Sequence, residues 1–176
     1  MNKKQKGFSL IELLIVVAII LIIAAIAIPN LLRAKIAANQ SAAVGTLRTM
    51  SSAEETFSST YSDGFTLTLR QLGGPVAAVA SCTSGKLIDE VLSVDPATKG
   101  GYLYTYTANG VAFAAVGIPP GCVAGDTGFS ISANPTSAST GTASYCIDES
   151  GVIRANPAAA GPIAPPCSTS GFPPLQ

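Results

Sequence analysis

Residues 6–28 read KGFSLIELLIVVAIILIIAAIAI, and this stretch decides how the chain is organised. From Phe8 to Ile28 there are 21 residues, all of them apolar or small except Glu12. A helix rises about 1.5 Å per residue, so a helix of this length matches the thickness of the hydrocarbon core of a bilayer. The stretch therefore predicts a membrane-spanning helix over residues 8–28.

This segment differs from a cleavable secretory signal peptide. Its polar leader, residues 1–7, is short, its apolar run is longer than that of a signal peptide, and its far end lacks an Ala-x-Ala-like cleavage site. Because the leader precedes the apolar run, cleavage after the leader would leave the apolar segment on the mature protein.

Glu12 is the residue that physical reasoning singles out. An acidic side chain in a bilayer costs about 2.5–3.5 kcal/mol on insertion scales, and such residues are functional by default. Cleavage before Phe8 would create an ammonium group four residues away on the same helical face, and this amine or a neighbour's could neutralise Glu12. Alternatively, Glu12 lies at the headgroup level and only favours the positive end of the helix dipole.

The run Lys6-Gly7-Phe8-Ser9-Leu10-Ile11-Glu12 before an unbroken apolar stretch resembles the prepilin signature of the type IV pilin family, which includes the pseudopilins of type II secretion. The resemblance covers residues 1–32. It implies that a prepilin peptidase cleaves between Gly7 and Phe8 and methylates the new amino group of Phe8. It also implies that Glu12 pairs with the amine of a neighbouring subunit, and that the leader lies in the cytoplasm with the body outside.

Pro29 falls inside a helical pattern that continues to about Tyr61. Proline removes the bond that its N–H would make to the Ala25 carbonyl, so the helix should kink or loosen there. Two interpretations remain open. Either Pro29 marks the exit from the membrane, or, as family filaments suggest, the helix partly unwinds there when subunits pack.

Residues 29–61 form a second, amphipathic half of the helix. Its apolar residues lie on one stripe at three-, four- and seven-residue steps, namely Ile36, Ala43, Leu47, Met50, Phe57 and Tyr61. One apolar face needs a partner, and the most economical partner is a sheet formed by the rest of the chain. We therefore predict an α+β, pilin-like fold in which a long N-terminal helix packs on a small antiparallel sheet of the globular head, residues 62–176.

The first part of the head carries turn residues. Ser62-Asp63-Gly64 should end the helix, and Gly73-Gly74-Pro75 marks a second break. Between them we expect an irregular linker with four inward-facing side chains, Phe65, Leu67, Leu69 and Leu72. A short helix is expected over residues 84–93, with Ser84 as its cap and with Leu87, Val91 and Leu92 facing the core.

Alternating patterns predict the strands that follow. Residues 102–107 and 111–116 flank Ala108-Asn109-Gly110, a hairpin signal. Residues 129–133 and 143–147 should form a second pair, and Asp148-Glu149-Ser150-Gly151 should turn the chain into residues 152–154. The result is a small antiparallel meander that needs the helix for stability.

Four cysteines, Cys82, Cys122, Cys146 and Cys167, all lie beyond the membrane segment. An even number outside the cytoplasm favours two disulfides, with three possible pairings. We favour Cys82 with Cys122 and Cys146 with Cys167, because the second bond would hold the tail. The last 22 residues contain six of the twelve prolines and predict an extended surface tail.

Composition limits the other classes of function. Only 11% of the residues are charged, and removal of Lys3, Lys4 and Lys6 leaves seven basic against ten acidic side chains, so we expect no nucleic-acid partner. The chain has no histidine, no phosphate-binding loop and no set of catalytic residues, so we predict no enzyme, no cofactor and no metal.

Two smaller hypotheses concern the head. Asp148 and Glu149 could be calcium ligands, as in some pseudopilins, but an ordinary turn is the more economical interpretation. The Ser/Thr-rich loop 136–144 could be O-glycosylated or could simply be a flexible loop.

The resemblance implies a structural subunit of a type IV pilus filament. Its residues for assembly would be Phe8, Glu12 and Pro29, and its partners would be further copies of the chain, prepilin peptidase and an inner-membrane assembly platform. It would lie in the inner membrane as a precursor and then in an extracellular filament. The alternatives are a pseudopilin in a short periplasmic pseudopilus and a membrane-anchored binding protein.

Overall fold

The computed structural model describes residues 9–61, 63–75, 77–113, 118, 120–157, 163 and 166–175. It contains two compact units, Met1–Lys35 and Ile36–Gln176, which are described separately below. We call Ile36–Gln176 the head unit. The predicted long helix is confirmed as α1, Leu10–Tyr61, whose residues belong to both units. Its predicted beginning at Phe8 lies outside the described residues.

In the first unit, α1 is apolar on every side over residues 13–28. A helix that is hydrophobic all round needs a fully apolar environment. Pro29, where a kink or loosening was predicted, lies inside α1 with helical residues on both sides, so the helix does not end there.

In the head unit, five antiparallel strands form one sheet in the order β1-β2-β3-β4-β5. The strands are β1 Ala97–Lys99, β2 Tyr102–Ala108, β3 Phe129–Pro135, β4 Ser144–Asp148 and β5 Arg154–Asn156. Each strand pairs with the next along the chain. The predicted meander is confirmed, with β2, β3 and β4 close to their predicted positions, whereas β1 was not predicted.

The core of the head unit lies between this sheet and the amphipathic half of α1. In β2, alternate tyrosines at 102, 104 and 106 are buried, as the two-residue period of a strand requires. They pack in one cluster with the helix residues Ala43, Val44, Leu47 and Met50. A second cluster joins Phe57 and Ala53 of α1 to Leu72. The predicted stripe is therefore the buried face of the helix, with Ile36 and Tyr61 half-buried at its ends.

The hairpin predicted at Asn109-Gly110 is wrong. The whole of β2 pairs with β3, from Tyr102 opposite Pro135 to Ala108 opposite Phe129, and residues 109–113 continue in the same direction against residues 125–128. A side chain at Gly110 would place its Cβ 2.3 Å from both the backbone nitrogen of Gly128 and the Asp126 carboxylate. Gly110 therefore serves a close approach of two backbones, and the chain reverses farther along. Residues 114–117, part of the predicted strand 111–116, lie outside the described residues.

The helix predicted over residues 84–93 is also wrong. The backbone N–H groups of Gly85 and Leu87 donate to the carbonyls of Gln71 and Leu72, at 2.7 and 3.0 Å. Between them Lys86 is left-handed, with φ of +57°. Asp89 is extended, with φ of −69° and ψ of 159°, so the segment does not have the backbone of a continuous helix. A single 3₁₀ turn remains, Glu90–Leu92, capped by the Asp89 side chain.

Within that region the predicted side-chain positions are only partly correct. Ser84 is no cap, because it is buried in a tight turn with Ser81. Leu92 is buried and Leu87 half-buried, but Val91 is 56% exposed.

The linker after α1 is more regular than predicted. It contains a one-turn helix, α2 Leu69–Leu72, whose cap is the Thr68 side chain. Leu69 and Leu72 are buried as expected and Phe65 is half-buried, but Leu67 is exposed. Gly74 follows in a left-handed conformation, with φ of +75°, which matches the predicted break.

The described residues of the tail contact the sheet of the head unit. Cys167 and Ile163 are buried in one cluster with Cys146. Farther on, Leu175 N donates to Ile153 O at 2.7 Å and Ala155 N donates to Pro173 O at 3.2 Å, so this part of the tail runs along the edge of β5. That strand begins two residues later than the predicted one.

Candidate functional site

The first candidate site is the beginning of α1. The backbone N–H of Ser9 donates to Oε2 of Glu12 at 3.1 Å, so the carboxylate satisfies one of the free N–H groups at the helix N-terminus. The Glu12 side chain is exposed. Gly7 and Phe8, the predicted cleavage and methylation residues, lie outside the described residues.

The apolar side chains that follow Glu12 are uniformly exposed. Every leucine, isoleucine and valine from Leu10 to Leu32 is exposed, from 45% at Leu32 to 79% at Leu10. By length and composition α1 can cross a membrane, since the mean hydropathy of its most apolar stretch is 3.3 and none of that stretch is buried. A continuous apolar surface of this size needs a bilayer or other protein surfaces to cover it.

A second site lies in the head unit, where Glu54 of α1 is fully buried. Its Oε2 accepts a hydrogen bond from the backbone N–H of Thr66 at 2.9 Å, and its Oε1 accepts one from the Thr66 hydroxyl at 2.5 Å. Burial raises the pKa of the Glu54 carboxyl from its ordinary value of 4.5 to about 7, although the bonds from Thr66 act in the opposite direction. Glu54 thus connects α1 to the linker.

The sequence analysis did not identify Glu54, although the sequence holds a signal for it. Glu54 lies seven residues after Leu47 and seven before Tyr61, which places it on the apolar stripe. A carboxylate at a buried position of such a stripe requires hydrogen-bond donors. What the stripe does not reveal is that these donors belong to Thr66.

The cysteines form two disulfides in the structure, Cys82–Cys122 and Cys146–Cys167, the two pairs favoured above. The Asp63 carboxylate lies within 4.8 Å of both sulfur atoms of the first disulfide. Asp63 is buried, and this burial raises the pKa of its carboxyl. Cysteines joined to each other do not provide thiolate ligands, so this cluster has no set of metal-binding groups.

The acidic turn at the end of β4 uses its carboxylate for backbone contacts. Asp148 accepts hydrogen bonds from the backbone N–H groups of Ser150, at 3.1 Å, and of Ser168, at 2.8 Å. The Asp148 oxygen atoms that would bind a calcium ion are thus already occupied by N–H donors. The arrangement fits a turn that also anchors the tail.

The Ser/Thr-rich loop is held against α1 within the head unit. Asn39 donates to the carbonyl oxygen of Thr140 at 3.0 Å, and Gln40 donates to the Thr142 hydroxyl at 3.0 Å. Ser137 and Thr140 also bond to each other. The loop is therefore attached at several points.

Comparisons with known proteins agree with the N-terminal motif. Residues 2–28 match the family described as "Prokaryotic N-terminal methylation motif". The chain is 48% identical over 56 residues to the "Type IV major pilin protein PilA" of Myxococcus xanthus, a match that covers 32% of this chain and 26% of the relative. It is 65% identical over 37 residues to the "Type IV wide pilus major component PilA4" of Thermus thermophilus, which covers 21% of this chain and 28% of the relative.

These matches confirm the resemblance to type IV pilins that the sequence predicted. The matched part spans only about a quarter of the length of each curated relative, 26% and 28%. No solved structure matches the chain.

Proposed function

We propose that this chain is a structural subunit of a type IV pilus filament, assembled through α1 after a prepilin peptidase has removed residues 1–7. One observation carries the proposal. The methylation motif, residues 2–28, includes residues 10–28, the first 19 residues of α1, whose large apolar side chains are exposed on every side. The named relatives, both components of type IV pili, support the same function.

The exposed apolar surface suggests two successive environments. Before assembly a bilayer would cover it, and after assembly the same helices of neighbouring subunits would cover it. Both environments bury the same side chains, so the transfer between them requires little net hydrophobic free energy. Packing and polar contacts between helices would then decide whether subunits assemble.

Glu12 is the polar group available for such a contact. Among the described residues its carboxylate accepts one hydrogen bond, from Ser9 of its own helix. A carboxylate surrounded by apolar side chains is stabilised most by a full positive charge. The amine of a cleaved, methylated Phe8 from a neighbouring subunit would supply this charge and fix the register of the two helices. Pro29 would be the point at which the helix adjusts during packing.

The first experiment is mass spectrometry of the N-terminal peptide in material sheared from intact cells. We expect a chain that begins at methylated Phe8. A processed chain found only in the membrane fraction would favour a pseudopilin, and an uncleaved Met1 would mean that the helix is a plain anchor.

The role of Glu12 is tested by Glu12→Ala. This variant should be cleaved normally but should give few or no filaments in the sheared fraction, because the subunits lose their register contact. Glu55→Ala, which removes an exposed carboxylate from the same helix, is the control and should assemble normally. Normal filaments from Glu12→Ala would contradict the role of Glu12. A separate variant, Gly7→Glu, tests the cleavage site and should block cleavage itself.

A further inference from the structure

Thr66 is held on two sides in the core of the head unit. On one side it donates both its backbone N–H and its hydroxyl to the Glu54 carboxyl, at 2.9 and 2.5 Å. On the other side its carbonyl oxygen accepts a hydrogen bond from the Tyr106 hydroxyl at 2.5 Å. One linker residue therefore connects α1 to β2, and Glu54 and Thr66 are both fully buried.

Glu54 has no cationic partner among the described residues. The single ion pair among the residues that the structure describes joins Lys99 to Asp89. Tyr106 of β2 is the titratable group that approaches Glu54. Its hydroxyl lowers the pKa of the Glu54 carboxyl. The other groups near Tyr106 are also acidic, since Asp126 disfavours the tyrosinate and Asp95 accepts a bond from the Tyr106 backbone N–H at 3.3 Å.

On the remaining elements around Glu54, Asp63 of the linker is buried and also acidic, and the other charged side chains are exposed. On α1 these are Arg48 and Glu55, and on α2 it is Arg70. A negative charge on Glu54 would therefore be buried without a counter-charge, which is one of the costliest arrangements in a protein core.

We propose that Glu54 is a proton-dependent attachment point that holds the linker, residues 63–75, on α1 when it is protonated and weakens that attachment when it is ionised. The protonated carboxyl has one O–H and one carbonyl oxygen. These groups match a hydroxyl, which can accept as well as donate, and a backbone N–H, which can only donate. The neutral acid can thus keep both contacts with Thr66 and carries no uncompensated charge, whereas the ionised form leaves a bare charge in the core. This inference concerns the head unit alone and does not depend on filament assembly.

The direction of the pH effect follows from the raised pKa. Because the folded state favours the protonated carboxyl, the stabilisation is complete below the ordinary pKa of 4.5. It decreases as the pH rises and is lost once the pH has passed the folded-state pKa of about 7. Loosening of the linker in the folded protein should be centred near the higher value, because only there does the folded protein lose the proton.

The test compares the thermal midpoint of the head in the full chain, in detergent micelles, between about pH 5 and pH 9. Glu54→Gln is the informative variant, since an amide presents a donor group beside an acceptor oxygen without charge and so imitates the protonated acid. We expect the wild-type midpoint to fall by about 5–10 °C more than that of Glu54→Gln over this range. The exposed neighbour provides the matched control, and Glu55→Gln should follow the wild-type curve.

A second measurement needs no variant that could fail to fold. The carboxyl carbon of Glu54 in the wild-type chain is titrated by NMR, with amide exchange of residues 63–75 recorded on the same samples. The expected result is a titration midpoint near 7 with faster exchange of the linker above it. A midpoint near 4.5, or a Glu54→Gln curve that is parallel to the wild-type curve, would overturn the proposal.

Discussion

The two halves of α1 accommodate an acidic side chain among apolar residues in different ways. Each half has an acidic side chain on an apolar face, Glu12 in residues 10–35 and Glu54 in residues 36–61. Glu54 is fully buried and receives two hydrogen bonds from Thr66 of the same chain. Glu12 is exposed and receives one bond from the first turn of its own helix. A carboxyl group that is buried and hydrogen-bonded within the chain joins two parts of the fold, whereas an exposed one is available to a partner.

The apolar side chains show the same contrast. Those of the stripe pack on the sheet or on Leu72 of the linker, and those of residues 10–32 are exposed. Substitutions in the stripe should therefore alter the stability of the head, whereas substitutions in the exposed half should alter only its association with other molecules.

The largest effect on stability is expected from Leu47→Ala. Leu47 is fully buried in the main core, so its truncation should lower the free energy of unfolding of the head by about 2–5 kcal/mol. The matched variant in the other half is Ile20→Ala, whose side chain is 57% exposed and should leave that free energy within about 0.5 kcal/mol. Chemical denaturation followed by tyrosine fluorescence measures both. Equal losses in the two variants would remove the distinction between the halves.

A smaller effect is expected from Thr66→Val. This change removes the hydroxyl that bonds to Glu54 but preserves the shape of the side chain, so it should cost about 1–3 kcal/mol. It should also raise the pKa of the Glu54 carboxyl further, because that hydroxyl bond lowers the pKa in the wild type. NMR titration of the Glu54 carboxyl measures the pKa. In the control, Thr56→Val, the lost hydroxyl bond lies within α1 on its exposed side, and the Glu54 titration should not change.

The smallest effect is expected from Asn39→Ala. Its side chain bonds to the carbonyl oxygen of Thr140, so the change should cost about 0.5–1.5 kcal/mol and speed amide exchange in residues 136–142. Asn30→Ala provides the comparison, since Asn30 is exposed in the other half of α1. If the loop exchanged at the wild-type rate in Asn39→Ala, the contact would not hold it.

Sequence reasoning succeeded where the signal was long and periodic. The apolar run of residues 8–28 and the stripe from Ile36 to Tyr61 predicted α1, its end and its buried face. The strand predicted over residues 102–107 corresponds to β2. Such patterns are reliable because many side chains in succession indicate the same secondary structure and the same buried face.

It failed where a short motif had two physical meanings. Asn109-Gly110 has the residues of a hairpin turn, but Gly110 is there because residue 128 passes too close for a side chain. Residues 84–93 have the pattern of a short helix, yet Lys86 is left-handed, and the N–H groups on either side of it bond to Gln71 and Leu72. Both errors arise from contacts with distant parts of the chain, which a local pattern does not contain.

The sequence by itself determined the apolar helix, the position of Glu12 within it and the presence of a sheet under the amphipathic half. These features follow from the order of polar and apolar residues along the chain. Only the tertiary structure decided that Glu54 is satisfied by Thr66 and that the chain reverses beyond Gly110. The physical reason is that a buried polar group and a close backbone contact are defined by partners twelve or more residues away, and folding alone brings those partners together.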